Sequence, residues 1–365
     1  MRGNAARRVS PRTRADLLAL SGYQPGEAAA GAVKLSSNES GFPPLPGVAE
    51  AARAAAAEVA RYPDNDASEL RAALAERWGA ALDEVTVGPG SGVLCQELVQ
   101  ATCDPGQMVA FGWRSFDAYR LYARSAHASV LTVPNRPDGH LDLGGLASAV
   151  AKAGDRVGIV FLCSPNNPTG TAVSDAELDS FLSAVPEHLP VVMDEAYAEF
   201  ATGVIPHAID WYRSGRRNVV MLRTFSKAYG LAGLRVGYAI GDPELLSAVQ
   251  AIRSPFGVTA AAQAAALAAL SSPQEVAWRA KTVAAERSRV LHMLRDLDIP
   301  AGASEANFVW LPLGDRSREF TESCRSDGVL VRCFPEEGVR VTVSVEPDND
   351  RFIRAAGRWA KREER

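Results

Sequence analysis

Between residues 222 and 241 the chain reads LRTFSKAYGLAGLRVGYAIG, and four of its side chains can do chemistry. Lys227 supplies an amine, Thr224 and Ser226 supply hydroxyls, and Arg235 stands eight residues beyond Lys227. Apolar runs that read as short buried strands flank the group, at 219–222 and 236–240. Desolvation between such strands disfavours the ammonium form. An amine with a lowered pKa is the reagent that forms Schiff bases with aldehydes. A lone lysine ordinarily sits on a surface loop. Two hydroxyls and an arginine beside it point instead to a phosphate site next to a carbonyl-trapping amine, a combination that suits pyridoxal phosphate.

Other reactive groups follow buried strands in the same way. Residues 157–163 form a near-continuous apolar run, as expected of a central parallel strand, and the loop SPNNPTG (164–170) with Asn167 comes next. Residues 191–193 read as another buried strand, and it ends on Asp194-Glu195. A strand at 85–87 leads through the glycine turn 88–92 into a helix over 93–101, a place where free amides could meet an anion. By itself that turn is a weak signal. Strands near 108–111 and 130 and helices opening at Ser115, 146–153 and Ser174 complete the alternation. Glu177 closes a capping box on Ser174. Alternation of this kind argues for right-handed βαβ units and a mostly parallel sheet, with ligands at the carboxyl ends of its strands. Asn167, Asp194 and Ser226-Lys227 all fall at such ends.

Ahead of this region, 1–14 reads as a loose basic tail and 17–26, with Tyr23, as an extended arm. Helices are predicted over 48–60 and 68–78, separated by the proline break at RYPDN (61–65). After Pro243 come helices at 244–253, 259–270 and 273–297. Strands at 307–311, 329–332 and 339–345 follow, with a helix at 316–326 and a last one from Asp348. That order suggests a small α+β domain.

With 365 residues, 47% of them hydrophobic and 22% charged, the chain is long enough for one large domain and a smaller one. A net charge of −4 gives no basic footprint for nucleic acid. Five cysteines without a CxxC spacing argue for a reducing compartment and against a metal site. The basic start lacks an apolar core of the signal-peptide kind, and no apolar run reaches a membrane span. A cytoplasmic protein is expected.

Five motifs in order now carry a resemblance: RYPDN (61–65), GPGSG (88–92), SPNNPTG (164–170), DEAY (194–197) and TFSKAYGLAGLR (224–235). Together they resemble fold-type I pyridoxal-phosphate aminotransferases, above all the histidinol-phosphate aminotransferase family, from about Tyr23 to the last helix. The resemblance implies a three-layer α/β/α fold with a mostly parallel sheet, over 45–255. A smaller α+β domain would comprise 256–365 with the arm 15–44. Lys227 would bond the cofactor aldehyde and then carry the proton. Asp194 would pair with the ring nitrogen, and Tyr197 and Asn167 with the ring's phenolic oxygen. Arg235, Ser226, Thr224, Ser91 and the Gly92 amide would hold the phosphate. Phe116 would stack on the ring. Tyr62 would reach the phosphate in a neighbouring subunit, which implies a homodimer. Arg340 would take the substrate carboxylate, and Asn167 would also border the substrate. Arg332 and Tyr23 would lie near its distal end.

Some residues depart from the parent family. Arg114-Ser115-Phe116 stands where a proline-threonine-aromatic turn is usual, Asn38-Glu39-Ser40 replaces Asn-Glu-Asn, and Arg332 and Arg340 are closely spaced. With FGWRSF and GPGSGVLCQELVQ, these features are similar to the aromatic amino-acid aminotransferases that branch from that family, often called putative phenylalanine aminotransferases. The expected reaction is ping-pong transfer between phenylalanine, tyrosine or tryptophan and 2-oxoglutarate, through the pyridoxamine form of the cofactor. The rivals are histidinol phosphate as donor, decarboxylation of an amino-acid phosphate, and a non-catalytic cofactor-binding regulator. The regulator would need a DNA-binding segment for which there is no room before residue 30.

Overall fold

The computed structural model describes residues 12–18, 20, 22 and 24–363. Tyr23 and most of the basic tail therefore lie outside the described residues. After a two-residue strand, β1 (Val33–Lys34), seven strands follow: β2 (Val85–Gly88), β3 (Met108–Trp113), β4 (Ser129–Pro134), β5 (Val157–Cys163), β6 (Val191–Asp194), β7 (Val219–Thr224) and β8 (Gly237–Ile240). They form one sheet in the order β2-β8-β7-β6-β5-β3-β4. The pairings from β4 through β7 are parallel, whereas β8 runs antiparallel to both β7 and β2.

All seven residues of β5 are buried. Strand period two sends them to opposite faces. Val160 and Leu162 join one apolar cluster, with Phe181 and Leu182 of the helix Asp175–Ala184. Ile159 and Phe161 join another, with Leu94 and Leu98 of the helix Ser91–Thr102. Two covered faces make the three layers α/β/α, and they explain why the central strands read as unbroken apolar runs.

The carboxyl ends of β5, β6 and β7 are adjacent, with Cys163 opposite Asp194 and Asp194 opposite Leu222. The loops carrying Asn167, Tyr197 and Lys227 therefore leave the sheet side by side. Farther along, β9 (Phe308–Leu311), β10 (Val329–Leu330), β11 (Arg332–Phe334) and β12 (Gly338–Thr342) follow the long helix Pro273–Asp296. An antiparallel sheet β11-β12-β9 places Arg332 directly opposite Arg340. A tight hairpin thus accounts for the short spacing between these arginines.

Several sequence expectations change. The strand expected over 329–332 is two strands in different sheets. Val329–Leu330 pairs parallel with β1, and Arg332 begins the hairpin. The helix expected to reach residue 60 stops at Ala56, because 57–60 are exposed and have no core face to bury. The helix expected from Ser115 opens at Ala118, and the arm contains a short helix, Ala15–Leu18. The capping box on Ser174 forms, with Ser174 N–H donating to Glu177 Oε2 at 2.9 Å and Glu177 N–H to Ser174 Oγ at 3.3 Å.

Candidate active site

A cavity of about 500 Å³ opens at these strand ends. It gathers residues from six stretches: Asn38; Ser91 and Gly92; Phe116; Asn167; Asp194 and Tyr197; and Thr224, Ser226, Lys227 and Arg235, joined by Arg340 of β12. Ten of the sequence-predicted residues thus line one cavity with Lys227.

Lys227 is part-buried and donates to the Ser37 carbonyl at 3.1 Å. Burial, and next the positive charge of Arg340, pull its pKa from 10.5 down to about 7. Such an amine holds a large neutral, nucleophilic fraction near neutral pH. Asp194 is 4% exposed. Its Oδ2 accepts from the Tyr119 hydroxyl at 2.6 Å, and its Oδ1 from the Ala196 amide at 3.3 Å. Burial pushes its pKa from 3.8 up to about 6, against the pull of those donors. Tyr197, also buried, accepts from Asn38 Nδ2 at 3.1 Å, and burial raises its pKa.

The Thr224, Ser226 and Arg235 side chains line the cavity together with Ser91 and Gly92, at the start of the helix Ser91–Thr102. Ser226 N–H donates to Thr224 Oγ1 at 3.1 Å, and Arg235 Nη1 to Ser226 Oγ at 3.4 Å. Two glycines make this packing possible. A Cβ on Gly90, where φ is +86°, would lie 2.6 Å from Arg235 Nη2, and one on Gly237 would lie 2.5 Å from the Ser91 nitrogen. Hydroxyls, a guanidinium and helix-start amides facing one space make an anion cradle.

Arg340 is 7% exposed; its Nη1 donates to Asn167 Oδ1 at 2.6 Å and its Nη2 to the Ser36 carbonyl at 2.7 Å. Arg332 lies apart from the main cavity, beside a small void shared with Phe116, Asn167, Phe334 and Arg340. It donates to the Pro25 carbonyl at 3.1 Å. Tyr62 is away from the cavity, 80% exposed and stacked on Phe256 with ring centroids 4.4 Å apart.

Sequence reasoning passed over several neighbours. Tyr119 and Tyr122 follow Phe116 at steps of three, which puts all three on one side of the helix Ala118–Ser125 and its approach. That spacing was the available signal. Glu195 and Arg223 form a fully buried pair behind the site. Arg223 Nε and Nη2 donate to Glu195 Oε2 at 2.9 and 2.6 Å, and Arg223 Nη1 to Glu199 Oε1 at 3.1 Å. Despite burial, the Arg223 guanidinium holds Glu195 below the usual carboxylate pKa.

This donor set fits pyridoxal phosphate: an anion cradle, a weakly basic amine, a buried carboxylate and an aromatic face, Phe116, border one space. Among the described residues no cluster of three or more metal-ligating side chains occurs, and no helix is long and apolar enough to cross a membrane.

Comparison with known proteins agrees in family and fold. Residues 30–355 match the aminotransferase class I and II family. The chain is 49% identical over 351 residues to a Nocardia farcinica protein named aromatic amino acid aminotransferase, covering 95% of this chain and 97% of that one. A Streptomyces coelicolor protein of the same name is 45% identical over 358 residues, covering 97% and 99%. Among solved structures, histidinol-phosphate aminotransferase from Sinorhizobium meliloti, in complex with pyridoxal-5'-phosphate, superposes with a TM-score of 0.86. Its identity is 27%, and the match covers 98% of this chain and 99% of that one.

Proposed function

The chain belongs to the aminotransferase class I and II family, and on that premise we propose that it moves an amino group between an aromatic amino acid and 2-oxoglutarate. Phenylalanine, tyrosine and tryptophan are the proposed donors, pyridoxal phosphate the cofactor, and ping-pong the kinetic order. The convergence of Lys227, Asp194 and Arg340 on one cavity carries the chemical part of this reading. The aromatic part is supported by the names of the relatives at 45–49% identity. The apolar ring of Phe334 beside Arg332, at the small void that Phe116, Asn167 and Arg340 also line, agrees with it.

When bound, the cofactor supplies an electrophilic aldehyde and a ring that accepts an electron pair. Ser91, the Gly92 amide, Thr224, Ser226 and Arg235 hold its phosphate, and Phe116 covers its ring. Asp194 keeps the ring nitrogen protonated through a charge-assisted hydrogen bond. Tyr197 and Asn167 bond its phenolic oxygen. Arg340 receives the substrate carboxylate as a fork, which its planar guanidinium suits better than an ammonium would. Lys227 Nζ, whose pKa of about 7 leaves a large neutral fraction near pH 7, would take the proton from the substrate Cα and hold it for return.

A homodimer completes the proposal. Tyr62 and Phe256 form an exposed aromatic pair, and Val59 and Ile252 are exposed apolar residues close to them in sequence. Apolar surface of this kind suits a second copy, whose site Tyr62 would complete.

The test is a donor panel at fixed 2-oxoglutarate. Values of kcat/KM for phenylalanine, tyrosine or tryptophan should exceed that for histidinol phosphate by about a hundredfold. The reverse ranking rejects the aromatic assignment and leaves histidinol phosphate, the substrate named for the Sinorhizobium neighbour. Lys227→Ala should abolish turnover with every donor.

A further inference from the structure

Tyr119 touches two of the groups proposed to hold the cofactor's ring, and none of the motifs that define the site contains it. It is fully buried. Its ring stacks on Phe161 of β5 at 4.5 Å and 17°, and meets Phe111 of β3 edge-on at 5.5 Å. Phe116 stands against it at 5.4 Å and 89°. Its hydroxyl donates to Asp194 Oδ2 at 2.6 Å, a short charge-assisted bond. We infer that Tyr119 is a positioning residue that locks the Asp194 carboxylate in orientation and charge while its ring props Phe116, so that both ring contacts are set together. The inference rests on the proposed role of Asp194.

The packing explains why the hydroxyl direction is fixed. A ring clamped between Phe161 and Phe111 cannot turn without opening the core, so its oxygen stays aimed at Oδ2. The electrostatics explain why the bond matters. Asp194 sits among Cys163 at the end of β5, Cys95 on the helix Ser91–Thr102, Glu195 beside it, and Lys227 across the cavity. Burial pushes both thiols well above their usual range, so they remain neutral. Glu195 repels the Asp194 charge and Lys227 attracts it. Among the forces that keep Asp194 ionised, the Tyr119 hydroxyl bond is the largest. Burial holds the tyrosine proton on, so Tyr119 stays a donor.

Tyr119→Phe deletes this hydroxyl and keeps the ring. Cofactor Kd is measured by fluorescence titration of stripped protein from pH 5 to 8.5, together with kcat and donor KM. The acid-side break in affinity should move up by about one pH unit relative to the unaltered protein, because the buried carboxylate loses its main donor. At pH 7.5, Kd should rise and kcat should fall by about tenfold each, with donor KM within about twofold. Tyr119→Leu, which also removes the prop from Phe116, should raise Kd further. Tyr238→Phe removes another buried hydroxyl, one that accepts from Trp78 Nε1 at 3.1 Å, and should leave the break in place. An unmoved break and unchanged kcat in Tyr119→Phe, even with a lowered Tm, would reduce Tyr119 to core packing and overturn the inference. Asp194→Asn with unchanged cofactor affinity would overturn the role of Asp194 as well, and so separates the two failures.

Discussion

Replacing Lys227 by methionine should stabilise the cofactor-free protein, and the gain should vary with pH. The ammonium is disfavoured in the folded chain, first by burial and then by Arg340, so its pKa drops from 10.5 to about 7. Each pH unit between the unfolded and folded values is worth about 1.4 kcal/mol, which gives about 5 kcal/mol for the whole interval. Because the folded value is the lower one, this cost is complete below pH 7. It shrinks as pH rises from 7 to 10.5 and is gone above that. Lys227 faces the cavity, so solvent screening reduces the figure. Methionine also leaves the Ser37 carbonyl without its 3.1 Å bond, a loss of about 1 kcal/mol. The net gain should be about 2–3 kcal/mol at pH 6 and close to zero at pH 10. Urea unfolding of stripped wild-type and Lys227→Met proteins, followed by tryptophan fluorescence at pH 6, 8 and 10, measures it. An equal difference at all three pH values, or a loss at pH 6, would refute a depressed amine and with it the reason for assigning Lys227 its nucleophilic role.

Three further outcomes follow from named contacts. Glu195→Gln strips the charge from a fully buried partner of Arg223 and should cost about 3–5 kcal/mol, read as a lower urea midpoint at pH 7. A change below about 1 kcal/mol would mean the pair contributes little beyond an amide. Arg340→Lys keeps the charge but loses the fork, and kcat/KM should fall about a hundredfold for both the amino acid and the oxo acid. If only one substrate suffers, Arg340 is not their common carboxylate site. Tyr62→Ala should raise cofactor Kd about tenfold while leaving chain stability within about 0.5 kcal/mol, since its ring is 80% exposed in a single chain. Sedimentation equilibrium should give the mass of two chains, and a monomer that binds cofactor with unaltered affinity would contradict the shared site.

What the sequence made legible follows from which signals are local. Residues 157–163 read as a covered strand because seven consecutive apolar residues have no exposed face to supply, and the structure divides them between two cores. Asp194 stood out because a charge at the end of a buried strand has few benign explanations, and Lys227 because two hydroxyls and an arginine stand near it between two apolar runs. Tyr119 did not stand out. Its partner is 75 residues away, and an aromatic at helical spacing looks like ordinary core. Asn38 was quoted for its motif, yet its bond to Tyr197 spans 159 residues. Residues 329–332 have strand-forming side chains throughout, and composition carries no information on which of two sheets each half will join. The alanines before residue 60 favour helix, but helix length is decided by what the element can bury, and burial support ends near Ala56.

The most direct test of the aromatic aminotransferase reading is a single turnover. Cofactor-loaded protein is mixed with one amino donor in the absence of oxo acid, and the cofactor's visible absorbance is followed by stopped flow. Phenylalanine should bleach it within one turnover, 2-oxoglutarate should then restore it, and histidinol phosphate should act at least about a hundredfold more slowly. Rapid bleaching by histidinol phosphate with none by phenylalanine, tyrosine or tryptophan would contradict the account.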